Sequence, residues 1–197
     1  MKRPRGAVLL AAFLLGLGLS AGAQAARAIF ATGCFWSAES DFEDLPGVTS
    51  VVSGYIGGYV PNPSYEQVAS GMTGHAEAIE VVYDPARITY AELLAHFWRT
   101  HDPFDGDGQF CDQGTMYRPA IFYLDAVQRA AAQASRDAVQ KRFGQPVLTH
   151  ISRADRFWPA EAVHQDFRKR NTARYAEYRE GCRRDARLRE VWGDPRH

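Results

Sequence analysis

From residue 28 onward the apolar positions follow two rhythms. Ala28 to Thr32 predicts a short strand, and after Gly33 the positions Phe35, Ala38, Phe42 and Leu45 recur at helical spacing until Pro46-Gly47 stops them. Val48 to Tyr55 predicts a second strand, and the loop "IGGYVPNPSY" follows it. Ser64 with Gln67 forms a capping box for a short helix through Val68. "AEAIEVVY", residues 76–83, is the clearest strand, closed by Asp84-Pro85. A second capping box, Thr89 with Glu92, opens a helix whose Leu93, Leu94, Phe97 and Trp98 share a face and which ends by Pro103.

The loop from Asp102 to Thr115 is long and rich in Asp and Gly, a length more often functional than idle. Beyond it the pattern predicts a strand over Pro119–Leu124, a helix over Ala126–Phe143 ended by Gly144, and a strand over Pro146–Ile151. Two further helical stretches follow, roughly 160–169 and 184–191, with Tyr175 and Tyr178 between them. Short strands interleaved with helices predict an α/β (α+β) fold of two layers, one mixed sheet with helices packed on it.

The first 25 residues do not fit this pattern. Lys2, Arg3 and Arg5 precede an apolar run from Ala7 to Leu19, and Ala23-Gln24-Ala25 supplies a small-residue cleavage site. The segment predicts a secretory signal cut after Ala25; the run is short of the roughly 20 residues a span needs, and an uncleaved anchor is the alternative. Export, to a periplasm, follows, with no stable membrane association after cleavage. The remaining 26–197 are expected to form a single domain with a variable tail from about 171. Composition, 46% hydrophobic and 23% charged, suits a soluble fold, and removal of three basic residues leaves a slight acidic excess that does not favour nucleic acid.

Three cysteines, Cys34, Cys111 and Cys182, remain in a compartment where disulfides persist, so at least one thiol is unpaired or exchanging. No Cys-x-x-Cys pair or His-x-x-x-His cluster is present, so no structural zinc is expected. Cys34 falls at the start of the first helix, where unsatisfied amides and the dipole favour thiolate, although a buried cysteine is ordinarily a small inert hydrophobe. Phe35 and Trp36 point about 100° apart, so both cannot sit in the middle of one core stripe. Glu77 shares a strand face with Ile79, Val81 and Tyr83; desolvation there would keep it protonated, whereas at a strand end it would simply be solvated. Tyr55, Tyr59, Tyr65 and Tyr117 lie in or beside loops as candidate hydroxyl donors, and His75, His101 and His164 are conventional bases that no spacing ties to Cys34.

The segments "GCFWSAE" (33–39), "GYIGGYVPNPSYEQV" (54–68), "TGHAEAIEVVYDP" (73–85) and "DQGTMYRPAIF" (112–122) resemble, in order and spacing, the type A peptide methionine sulfoxide reductases. The resemblance spans nearly all of residues 29–170 and implies a ferredoxin-like plait core with a long irregular C-terminal segment. It implies that Cys34 is the nucleophile that attacks the sulfoxide sulfur and becomes a sulfenic acid. Glu77 would protonate the sulfoxide oxygen, and Tyr65, Tyr117 and Asp112 would orient the substrate. Phe35 and Trp36 would receive its methyl group. The substrate class is methionine S-sulfoxide, free or in proteins, the reductant a thioredoxin-like thiol, the assembly a monomer, and no metal or organic cofactor is implied.

The tail departs from the family pattern: "YREGCRRDARLREVWG" carries one cysteine in an arginine-rich context. Three routes stay open for the sulfenic acid, resolution by Cys182, by Cys111, or by an external thiol with neither essential. Two other classes also stay open: another thiol enzyme, such as a cysteine peroxidase or hydrolase, and a noncatalytic module whose aromatic loop binds oxidised or Met-rich surfaces.

Overall fold

The computed structural model describes residues 25–193. The expected signal segment lies outside the described residues except at its last position, Ala25. The chain enters on β1 (Ala26–Ala31), turns at Gly33 and continues into α1 (Phe35–Phe42). It then forms β2 (Val48–Ile56), α2 (Tyr65–Ala69), β3 (Ala76–Tyr83) and α3 (Tyr90–Trp98). Both capping boxes form: Ser64 and Thr89 each accept from the amide three residues on, while Gln67 and Glu92 reach back.

A two-residue hairpin, β4 (Gly108–Gln109) with β5 (Asp112–Gln113), and a single 3-10 turn (Thr115–Tyr117) fill the Asp-rich loop. Next come β6 (Ala120–Tyr123), α4 (Ala126–Phe143) and β7 (His150–Arg153). Asp125 caps α4 at its start, and Gly144, at φ 67°, closes its end in the left-handed conformation.

The main sheet has the order β7-β6-β1-β3-β2-β8, where β8 is the short strand Trp158–Pro159. Within it β6-β1-β3-β2 are antiparallel, the plait arrangement, and β7 adds in parallel beside β6. Phe30, Ile79, Val81 and Tyr55 meet Phe35, Ala38 and Phe42 of α1 and Leu93 and Phe97 of α3 in one cluster. Each such aliphatic or aromatic side chain contributes about 1.5–3 kcal/mol on burial. The opposite face packs Ile29, Ala31, Ile56, Ala78 and Phe122 in a second, smaller cluster.

The C-terminal segment is more regular than expected. The helix expected over 160–169 is mostly turn, with only α5 (Phe167–Arg170) helical, because the polar groups of this stretch bond to the sheet instead of to their own helix. Gln165 receives the amide of Ser53 (2.9 Å) and donates to its carbonyl (2.8 Å), standing in for a strand beside β2. β8 (Trp158–Pro159) pairs with Tyr55 and Gly54 just before it. Helix α6 (Thr172–Gly181) follows, though its sparse apolar spacing gave no sign of it, and α7 (Arg184–Trp192) matches expectation. Arg184 carries α7 inward: 1% exposed, it donates to the carbonyls of Thr32 (3.2 Å) and Thr100 (2.5 Å) and pairs with Asp41 (3.3 Å).

Candidate active site

Register brings the two principal candidates together. Because β1 and β3 run antiparallel, with Phe30 opposite Ile79, the end of β1 and the turn after it lie beside the start of β3. Gly33 makes the turn at φ 92°, and a Cβ there would meet Gln109 Cβ at 2.7 Å, so only glycine fits. Cys34 then occupies the N-cap of α1. The amide of Phe35, one of the unpaired donors of the helix start, gives its hydrogen to Glu77 Oε2 at 2.9 Å.

Glu77 is 1% exposed, on the apolar strand face as the alternation predicted. Burial pushes its pKa up to about 8, against the lowering effect of the Phe35 amide and with a smaller lift from Asp112. At neutral pH the carboxyl is therefore mainly protonated.

Cys34 departs from the expectation of a helix-start thiolate. Burial pushes its thiol well above the usual range, Glu77 adds to this, and the nearby Tyr178 hydroxyl only partly offsets the two. The dipole of an eight-residue helix does not outweigh loss of solvent. The resting site is thus a protonated thiol beside a protonated acid.

Phe35 is buried and Trp36 half-buried, as their diverging directions require. The Phe35 ring packs against Tyr55 (5.8 Å between centroids) and His164 (5.3 Å). Trp36 stacks on Phe167 at 3.6 Å and meets the edge of Tyr178 at 5.8 Å. Burial pushes the phenols of Tyr65 and Tyr117 up and holds both protonated as hydrogen-bond donors. Asp112, raised by burial, accepts a short hydrogen bond from Tyr178.

Cys111 and Cys182 are joined to each other, their Cα atoms 4.8 Å apart across 71 residues, and Cys34 is free. Cys111 is exposed and Cys182 nearly buried, and the Asp112 carboxylate lies within 4.8 Å of both sulfurs. A cavity of 590 Å³ lined by Asp102, Asp105, Asp107, Cys182, Arg183 and Arg187 opens beside this bridge; neither Cys34 nor Glu77 lines it.

The histidines divide. His75 is engaged by the Gly58 amide and the Val60 carbonyl, and His101 by Phe97 and Thr149, so both hold backbone and core. His164 instead stands among the aromatic residues, its Nδ1 accepting from Trp36 Nε1 at 3.2 Å. The imidazole a cysteine hydrolase would place on its nucleophile is committed elsewhere.

Sequence reasoning overlooked Tyr178, Glu161 and Arg184. Tyr178 and Cys182 are four residues apart, one helical turn, and that spacing was the available signal. Glu161 accepts from the Tyr55 hydroxyl and the Tyr65 amide, both at 2.8 Å, which fixes Tyr65 in the wall.

A family profile described as peptide methionine sulfoxide reductase matches residues 26–196. The chain is 48% identical over 189 residues to "Peptide methionine sulfoxide reductase MsrA 2" of Rhizobium meliloti (strain 1021), covering 94% of each. Among solved structures it is similar to "Methionine sulfoxide reductase A of Corynebacterium diphtheriae", with TM-score 0.68, 32% identity and coverage of 75% of this chain and 76% of that one. It is also similar to Mxr1 from Saccharomyces cerevisiae in reduced form, with TM-score 0.71, 30% identity and coverage of 76% and 87%.

Proposed function

The chain belongs to the peptide methionine sulfoxide reductase family, and on that premise we propose that it reduces methionine S-sulfoxide, free or in proteins, through a sulfenic acid on Cys34. The observation that carries this reading is the buried, protonated Glu77 bonded to the amide next to Cys34. A sulfoxide is a poor electrophile until its oxygen is protonated, and a neutral acid poised near pH 8 supplies that proton.

In this reading Tyr65 and Tyr117 donate to the sulfoxide oxygen, Asp112 orients the substrate, and the methyl group rests against Phe35 and Trp36, where sulfur and ring contacts add about 0.3–1.5 kcal/mol. The Cys34 sulfur attacks the substrate sulfur, the oxygen passes to Cys34, and methionine leaves. Thiol plus sulfoxide gives sulfenic acid plus thioether, with no other reactant.

The sulfenic acid then needs a thiol. Cys182 lies one turn from Tyr178, which meets the edge of Trp36, and this supports Cys182 as the thiol that displaces water and forms a Cys34–Cys182 bond. Attack by Cys111 on Cys182 frees Cys34 and leaves the Cys111–Cys182 bridge, to be reduced at the exposed Cys111 by a thioredoxin-like dithiol. The basic, then apolar, N-terminal segment supports export to a periplasm, where oxidised proteins would be the substrates; a single-domain monomer is part of the same proposal.

The test supplies each sulfoxide epimer with dithiothreitol and compares the wild type with Cys34→Ser. Reduction of the S epimer by the wild type and none by the variant is expected. No turnover by the wild type sinks the reading, and equal turnover by the variant removes Cys34 as nucleophile. With thioredoxin as reductant, Cys111→Ser and Cys182→Ser should stall; if both turn over normally, an external thiol acts directly.

A further inference from the structure

His164 is 8% exposed and sits on the turn between β8 and α5, yet its ring lies among the aromatic residues assigned above to the methyl pocket. The centroid distances are 4.5 Å to Tyr65, 5.3 Å to Phe35 and 6.0 Å to Trp36. Its Nδ1 is the acceptor for the Trp36 indole N–H at 3.2 Å. An imidazole accepts at Nδ1 only when that nitrogen carries no proton, so the bond requires the neutral ring with its hydrogen on Nε2.

We propose that His164 is a positioning residue whose neutral imidazole holds Trp36 as a wall of the methyl pocket, so that protonation of His164 releases the indole and weakens sulfoxide binding while leaving the chemical step intact. The inference rests on the reading of Trp36 as a pocket wall. Protonation would place two N–H groups face to face, turning an attraction into a repulsion.

The groups around the ring set the direction of the change. Glu161 on the same turn and Glu66 on α2 favour the proton, and the one cation among the described residues in contact with the indole is Arg174 of α6, over the Trp36 ring at 5.8 Å. The other polar neighbours keep their protons: Tyr65 on α2, Cys34 before α1, Tyr178 of α6, and Tyr55 of β2, whose hydroxyl is given to Glu161. Burial is the largest influence and holds His164 below the ordinary imidazole value, so at neutral pH the indole bond is made. It is lost as pH falls through that lowered value, on the acid side of about 6.5. Glu77 is fully protonated throughout this window, so the chemical step has no cause to change there.

The experiment follows single-turnover sulfoxide reduction by pre-reduced protein between pH 8 and pH 5, separating the half-saturating substrate concentration from the limiting rate. Alongside it, the Trp36 indole cross-peak, assigned with Trp36→Phe, is followed by NMR in the absence of substrate. The half-saturating concentration should rise roughly three- to tenfold toward pH 5, the scale of one lost hydrogen bond, with little change in limiting rate below about pH 7, where Glu77 is protonated. The indole peak should move with the same midpoint.

His164→Asn places an acceptor oxygen the same number of bonds from the backbone as Nδ1 but does not titrate. It should bind substrate as the wild type does at pH 8 and abolish both acid-side changes. A stationary indole peak in the wild type, or an unchanged acid-side loss of binding in His164→Asn, overturns the proposal. If no sulfoxide is reduced at any pH, the proposed activity is what fails, and the indole titration still decides the bond.

Discussion

The amide of Phe35 donates to Glu77 at 2.9 Å, tying the residue after Cys34 to a strand 42 positions away. Oε2 accepts that hydrogen, which leaves Oε1 to carry the acidic proton.

Replacing Glu77 by Gln keeps the acceptor and removes the acid. Single-turnover reduction should slow by roughly 10²–10⁴-fold, the usual worth of a positioned general acid. In the wild type the rate should fall as pH rises through about 8, where Glu77 loses its proton, and that fall should be absent in Glu77→Gln. A rate matching the wild type refutes the acid role.

The same carboxyl makes stability depend on pH. Its pKa is raised from the ordinary carboxylate value to about 8, so the folded state binds more protons than the unfolded state between those values. Its stabilising contribution is complete below about pH 4 and lost as pH rises through about 8. Glu77→Gln should therefore gain Tm relative to the wild type at pH 9 but not at pH 4, measured by thermal unfolding.

Opening the Cys111–Cys182 bridge releases a constraint spanning 71 residues. The chain-entropy argument gives about 4 kcal/mol for a loop of that size, and a chain of this length loses about 2–4 °C of Tm per kcal/mol. Thermal unfolding of the Cys111→Ser, Cys182→Ser double variant should show a fall of roughly 8–16 °C against the oxidised wild type.

Arg184→Ala removes a buried guanidinium from two carbonyls and from Asp41. A loss of about 3 kcal/mol is expected, since the partners are left desolvated, and urea unfolding measures it.

Trp36→Leu keeps an apolar wall but removes the ring. The half-saturating sulfoxide concentration should rise roughly two- to tenfold, in line with the worth of a sulfur and ring contact, with a smaller effect on the limiting rate.

Much of this architecture was legible in the residues. The capping boxes at Ser64 and Thr89 mark their helices because the signal is local, and α4 runs from Ala126 to Phe143 as its Asp125 and Gly144 punctuation implies. Glu77 was legible because strand alternation is strict. The tail was not: α6 has few apolar positions, and its place is set by Tyr178, Arg179 and the Cys182 bridge, all contacts with distant parts of the chain. The state of Cys34 also escaped, since a sequence shows a helix start but not how completely the tail buries it.

The outer flank of β2 carries a further consequence. A strand with unpaired backbone groups is a template for another chain, yet this one meets Pro159, which has no N–H to continue a ladder, and then the Gln165 amide, which occupies both backbone groups of Ser53. The turn that shapes the pocket thus also blocks part of the sheet from recruiting a neighbouring molecule, so loosening it would invite aggregation as well as disturb the pocket.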